Sequence, residues 1–178
     1  YWYSCQHWDV TPDIITLAKS LGGGLPLGAI LSTEKIFSTF LDPPLSHLTT
    51  FGGNPVSCAA AIAAFDVIQK EGLIDQTKEL GNYLKERLSS AQREFPDSIS
   101  EIRGIGLWYA IDLSPESITL PLVQEMQNRG VIVGSMLNSD GTIRIAPPLI
   151  IRPAEIDTFI GVLKASLRTL KNQNGNHS

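Results

Sequence analysis

A run of apolar, strand-favouring residues from Ile14 to Ala18 ends in a single lysine, Lys19, and three consecutive glycines, Gly22, Gly23 and Gly24, follow almost at once. Glycine opens backbone conformations closed to other residues and lets other groups approach the main chain closely. The pattern therefore predicts a strand that breaks into a turn, with the lysine boxed between them. An ammonium group is costly to desolvate, so lysine is normally a surface residue. A lysine held in a pocket can lose its proton more readily and attack a carbonyl as a free amine. On local chemistry alone the plainer alternative, a strand-end lysine beside a flexible turn, is favoured, because most lysines are solvated.

The remaining pattern is that of alternating strands and helices. The aromatic opening, Tyr1 to Trp8 with His7, is predicted to pack as an irregular segment, and Thr11-Pro12-Asp13 is a turn signal. Gly28 to Ser32 is predicted to be a short buried strand, and Thr33 a cap for a short helix over Glu34 to Phe40 that ends at Asp42-Pro43-Pro44. Asn54 before Pro55 is a strong helix start. The helix expected from Val56 to Lys70 carries Ala59, Ala60, Ala61, Ala63 and Ala64, which implies close packing and a helix bridging two domains. A second helix is predicted over Asp75 to Phe95, with Leu80, Tyr83, Leu84, Leu88, Ala91 and Phe95 on one face. Strands follow over Ile99–Ile102 and Leu107–Leu113, turning at Arg103-Gly104-Ile105-Gly106. A helix over Leu120 to Arg129 and a strand over Val131 to Val133 precede a turn at Asn138 to Gly141. A strand over Thr142 to Ala146 leads to a last helix over Pro153 to Leu170 and a frayed tail from Lys171 to Ser178. Residues 1–71 then read as the back half of an α/β domain, and residues 72–178 as a small α+β domain with helices on one side of its sheet.

Composition narrows the function classes. Of 178 residues, 43% are hydrophobic and 18% charged, which suits a folded chain with one sizeable core or two small ones. A net charge of −4 and a sequence pI of about 5.3 argue against a nucleic-acid partner. No apolar run reaches the length of a membrane helix. The two cysteines, Cys5 and Cys58, have no metal-ligand spacing and are too few for a disulfide framework, so a reducing cytoplasm is expected. Neither His7, His47 nor His177 has metal or nucleophile–histidine spacing, and no metal site is expected. The opening Tyr1-Trp2-Tyr3, without an initiator methionine, reads as the middle of a domain and leads us to expect a piece of a longer protein.

Two further stretches could carry chemistry. In Thr49-Thr50-Phe51-Gly52-Gly53-Asn54-Pro55, a hydroxyl, two glycines and a helix N-terminus could cradle an anion, although a turn and an N-cap explain most of it without a ligand. Arg144 sits mid-strand between Ile143 and Ile145, ahead of Ala146-Pro147-Pro148. It could pair with a carboxylate of the protein, or its planar fork could hold a substrate carboxylate by two parallel hydrogen bonds.

Taken together these stretches resemble the class III aminotransferases of the ornithine and acetylornithine type. Asp13 to Ile30 resembles their Schiff-base segment, Thr49 to Pro55 their phosphate-contacting motif, Ile143 to Ile151 their carboxylate-binding segment, and Arg103-Gly104-Ile105-Gly106 a structural turn. The resemblance covers almost the whole chain in the family's order. It implies the carboxy-terminal part of a fold-type I pyridoxal-phosphate-dependent transferase: the back half of the large α/β domain plus the small α+β domain. It implies Lys19 as the lysine that binds pyridoxal 5'-phosphate, Thr50 as a phosphate ligand to the neighbouring subunit's cofactor in a homodimer, Arg144 as the substrate-carboxylate ligand, and Thr49 as a residue facing substrate. The implied reaction is transamination between an amino acid, ω-amino or acetylated diamino in type, and 2-oxoglutarate. An aminomutase or racemase on the same scaffold, or a non-catalytic interaction or dimerisation module, are the alternatives. The family's acidic partner for the pyridine nitrogen lies in an Asp-Glu segment, and this sequence has no Asp-Glu dipeptide. The 178 residues alone are therefore expected to be inactive.

Overall fold

Residues 1–136 and 139–175 are described by a computed structural model. The backbone divides into two units, Tyr1–Ile74 and Asp75–Ser178.

The first unit opens with a 3-10 helix over Ser4–Trp8, where the Tyr1 ring meets His7 edge-on at 4.7 Å. Strand β1 (Ile14–Leu17) pairs antiparallel with β2 (Ala29–Ser32), from Ile14 opposite Ser32 to Leu17 opposite Ala29. The Ser32 hydroxyl donates to the Asp13 carbonyl at 2.6 Å and closes the open end of the pair. The expected burial of β2 is corrected: Ile14, Ile30 and Leu31 are exposed, because a two-stranded ribbon offers no second layer of its own. Helix α1 (Glu34–Phe37) is capped by the Thr33 hydroxyl, which accepts from the Ile36 N–H, and passes into a 3-10 turn over Ser38–Leu41. The predicted helix to Phe40 tightens here, where the Ser38 hydroxyl takes the Lys35 carbonyl away from the helical ladder. Helix α2 (Pro55–Lys70) starts where predicted, and Trp2 packs on its Phe65 at 5.0 Å between ring centroids. Within α2 only Ser57 and Ala61 are buried, while Val56, Ile62 and Val67 face outward.

The second unit is a sheet covered by helices on one face. Helix α3 (Leu73–Glu94) begins two residues earlier than predicted, so the division between the units falls in its first turn. Strands β3 (Ile99–Ile105), β4 (Trp108–Leu113), β5 (Gly134–Met136) and β6 (Ser139–Ile145) form one antiparallel sheet in the order β3-β4-β6-β5. Helix α4 (Thr119–Asn128) lies between β4 and β5 in sequence, and α5 (Pro153–Gly175) follows β6. Leu84 and Leu88 of α3, Phe95 just after it, Leu122 and Met126 of α4, and Ile156, Ile160, Leu163 and Leu167 of α5 form one core with Ile111 and Ile143 of the sheet. Alternation sends Ile111, Leu113, Ile143 and Ile145 to that face and leaves Asp112 and Arg144 on the other.

Three boundaries differ from expectation. The β3–β4 turn is not the four residues from Arg103: β3 continues to Ile105, which pairs with Trp108, and Gly106 at φ 57 supplies the left-handed residue of a two-residue hairpin. Tyr109 donates from its hydroxyl to the Gly81 carbonyl on α3 at 3.4 Å, and burial pushes its phenol above the ordinary range. The strand expected at Val131–Val133 lies three residues later, because the Val131 N–H is spent closing α4 on the Met126 carbonyl, and pairing with β6 starts at Gly134. Ser139 to Gly141 belong to β6 and not to a turn, while Asn138 lies outside the described residues. Helix α5 runs on to Gly175 through part of the expected tail, and His177 lies outside the described residues.

Candidate functional site

Lys19 stands at the end of β1, between an extended Ala18 and a 3-10 turn over Lys19–Gly22. Its φ is 57°, a left-handed conformation that costs a side-chain-bearing residue about 1–2 kcal/mol. Such strain in a non-glycine residue is a pointer to function. The glycines explain why the turn can sit where it does: Gly23 has φ 59, and a Cβ there would lie 2.9 Å from the Ala60 carbonyl oxygen of α2. The turn thus packs directly on the small-residue face of α2. The predicted enclosure of the lysine is corrected: Lys19 is exposed, so β1 and the turn do not box it in.

Thr50 opens a turn through Gly53, with the Asn54 N–H bonded to the Phe51 carbonyl at 3.2 Å. The Asn54 side chain accepts from the N–H groups of Val56 at 3.0 Å and Ser57 at 3.2 Å, and Pro55 has none. The N-terminus of α2 therefore has its first donors satisfied, and the anion cradle expected there is reduced to the Thr50 hydroxyl with the turn amides of Gly52 and Gly53, which take no partner among the described residues. Thr49 lines an open, mostly apolar cleft of about 920 Å³ with Leu17, Leu27, Phe40, His47 and Phe51. Lys19 and Thr50 do not line that cleft.

Arg144 lies in the second unit, in the middle of β6, opposite Ala110 of β4 on one side and Gly134 of β5 on the other. Both neighbours are small, so its guanidinium is exposed, and it has no ion-pair partner among the described residues. One cross-strand row away, the Asp112 carboxylate accepts from Arg103 of β3 and, at 2.7 Å, from the Thr142 hydroxyl of β6. The Ser139 hydroxyl is 2.6 Å from that of Thr142. Arg103 also meets Glu101 at 3.4 Å. The Arg103 contact, aided by Thr142, holds the Asp112 carboxyl below the usual carboxylate range against the opposing effect of burial. This network was missed from sequence, although Asp112, Thr142 and Arg144 share a strand parity that was readable. Which of them meet depends on register, which was not. Of the four candidate residues, Lys19, Thr49 and Thr50 lie in the first unit and Arg144 in the second.

The chain matches the family "Aminotransferase class-III" over residues 1–167. Among solved structures it is similar to an acetylornithine aminotransferase from Elizabethkingia anophelis, with 33% identity and a TM-score of 0.81 over 92% of this chain and 40% of that one. It is similar also to an aminotransferase from Bacillus anthracis, with 31% identity and a TM-score of 0.84 over 93% of this chain and 40% of that one. An S-selective transaminase from Arthrobacter sp. matches with 26% identity and a TM-score of 0.86 over 96% of this chain and 41% of that one. The chain thus spans about two fifths of the length of the structures it matches. Its mixed α/β architecture corresponds to the carboxy-terminal part of the fold of pyridoxal-phosphate-dependent aminotransferases. The chain belongs to the class III aminotransferases.

Proposed function

We propose that the full-length protein transaminates an amino acid with 2-oxoglutarate using pyridoxal 5'-phosphate, and that the donor is an ω-amino or acetylated diamino acid of the acetylornithine, ornithine or 4-aminobutyrate type. Family membership supports the reaction class, and the likeness to an acetylornithine aminotransferase supports the donor class. The observation that carries the reading is Lys19, an amine held in a strained backbone conformation at a strand end, ahead of a glycine turn seated on α2.

The residues fit the cofactor by their donor chemistry. Lys19 offers a primary amine for covalent attachment, and the Thr50 hydroxyl with the free Gly52 and Gly53 amides suits a phosphate. When bound, pyridoxal phosphate supplies the electron sink. With the cofactor bound, the Lys19 amine would take and return the proton at the amine-bearing carbon of the substrate as general base and acid. Arg144 donates two parallel hydrogen bonds to the substrate carboxylate and so fixes its orientation. In a homodimer Thr50 would donate to the cofactor phosphate of the neighbouring subunit, and Thr49 would face the substrate. In this reading residues 1–71 complete the cofactor-binding domain, with α2 as the bridging helix, and residues 72–178 are the small domain. A homodimer is supported by Leu41, Leu45, Leu48 and Phe51, apolar side chains that stay exposed in this chain, Phe51 at 80%. The free Cys5 and Cys58 favour the cytoplasm.

Borohydride reduction with pyridoxal phosphate, followed by peptide mapping, tests the attachment point. The expected result is labelling of Lys19 at low cofactor concentration, ahead of Lys35, Lys70 and Lys78. Even labelling across those lysines would remove Lys19 from its role. The 178 residues alone are expected not to turn over substrate, because no Asp-Glu segment is present to pair with the pyridine nitrogen; robust transamination by this chain would overturn that part.

A further inference from the structure

We propose that a pocket in the second unit, between the turn after α3, the turn after β4 and the second half of α5, binds a free α-amino acid with an aliphatic side chain. The ligand's ammonium faces Asp97, its carboxylate faces Lys171, and its side chain lies on Phe95, Ile118, Leu167 and Leu170. These residues line the pocket, whose volume is about 170 Å³. Sites for drug-sized ligands run from about 300 to 1,000 Å³, so this one suits a ligand with a single small side chain. None of Lys19, Thr49, Thr50 and Arg144 lines it.

The charges around the pocket decide the ligand. Nearby, Glu94 already meets Lys164 at 2.9 Å and also Arg168, and the Arg168 guanidinium stands over the Phe95 ring, 5.8 Å from its centroid. Asp97 and Lys171 differ from these. Both line the pocket, they do not pair with each other, and neither has an ion-pair partner among the described residues. Asp97 sits in a turn closed by the Ser98 and Ile99 N–H groups on the Phe95 carbonyl, and the Ser114 N–H bonds to the Ser98 carbonyl at 3.0 Å. The two turns are thus tied together, with Lys171 opposite them on a helix. The Ser98 and Ser114 hydroxyls also line the pocket and take no partner among the described residues. Beneath these groups the floor is apolar: Phe95 and Leu167 are buried, and Ile118 and Leu170 are half-buried. A ligand therefore meets one free anion, one free cation and an apolar floor. An α-amino acid answers all three, since its ammonium and carboxylate share one carbon and its side chain leaves water for the floor. A lone carboxylate would face Asp97 unpaired, and a lone amine would face Lys171. The site requires neither Lys19 nor a cofactor, and it does not rest on the proposed function.

The test is titration of the 178-residue chain with L-leucine, glycine, isocaproate and isoamylamine, followed by 1H–15N NMR. L-Leucine is expected to bind in the millimolar range, with shifts at Asp97, Ser98, Ser114, Ile118 and Lys171. Glycine, which lacks the side chain, is expected to bind at least about tenfold more weakly. Isocaproate lacks the ammonium and isoamylamine the carboxylate. Each is expected to bind about two- to fivefold more weakly than leucine, because ion pairs at an exposed rim are screened by water. Two variants at exposed positions separate the charges. Asp97→Asn is expected to weaken leucine and isoamylamine but not isocaproate, and Lys171→Gln to weaken leucine and isocaproate but not isoamylamine. Unchanged circular dichroism in both variants separates loss of binding from loss of fold. Four outcomes would each overturn the proposal: glycine binding as tightly as leucine, variants that weaken every ligand alike, shifts confined to Gly134 and Arg144, or no saturable shift below about 0.1 M leucine. Any of them would leave the Lys19 trapping result untouched, and a failure of trapping would leave this site standing.

Discussion

The Asp112 carboxylate accepts hydrogen bonds from Arg103 on one neighbouring strand and Thr142 on the other, so one side chain ties β3, β4 and β6 together on the face that carries Arg144. Because Asp112 is held below the usual carboxylate range, its folded-state pKa lies under its unfolded value. Its contribution to stability is therefore full above the unfolded pKa of about 4 and is lost as the pH falls through the folded value. Asp112→Asn is expected to lower the urea midpoint at about pH 6, with the gap from the parent chain closing by about pH 2.5. A gap that stays constant over that range would remove Asp112 from the account. Lys19 and Arg144 stand out in the sequence as charged residues in apolar runs beside turn-forming residues, and the resemblance to the class III aminotransferases is what makes them candidates. The role of Asp112 was not, because its partner Thr142 lies 30 residues away and the pairing exists only once β4 and β6 are in register.

Between elements, α3 comes close to the β3–β4 hairpin. A Cβ on Gly81 would lie 2.4 Å from the Gly106 carbonyl oxygen, backbone against backbone, and the Tyr109 hydroxyl reaches the Gly81 carbonyl at the same place. Helix propensity alone favours alanine over glycine at an interior helical position by about 1 kcal/mol. Packing reverses the sign: Gly81→Ala is expected to destabilise by about 1–3 kcal/mol in urea unfolding. A stabilised variant would mean that α3 is not pressed on the hairpin. Most helices and strands were legible because a period of 3.6 or 2, a cap or a proline marks them locally. Where the expectation shifted, as at β5 and at the hairpin, the deciding bonds ran to other elements, from Val131 to the end of α4 and from Ile105 to Trp108.

Across the whole molecule the two units differ in how much they bury. The second has a continuous core of fully buried side chains from three helices and the sheet, whereas in the first the buried apolar side chains are Ala61 and Leu73. Amide exchange follows the cost of opening, which rises with apolar burial. In hydrogen exchange read by mass spectrometry, peptides from β4, β6 and α5 are expected to be the slowest to exchange, and those from β1, β2 and residues 38–54 to exchange orders of magnitude faster. Equal protection of both regions would mean that the first unit is stabilised by something other than its own burial.

By itself the sequence determined the order of strands and helices, the amphipathic faces of α3 and α5, the capped start of α2 and the family to which the motifs belong. Each of these depends on residue type and short-range spacing, which the chain carries locally. Tertiary structure decided the strained backbone of Lys19 and the seating of its glycine turn on α2. It also decided that Asn54 takes the helix donors that an anion would have used and that Arg144 stands free between two small neighbours. These depend on contacts between segments distant in sequence, where register and packing set which groups meet and which are left without a partner.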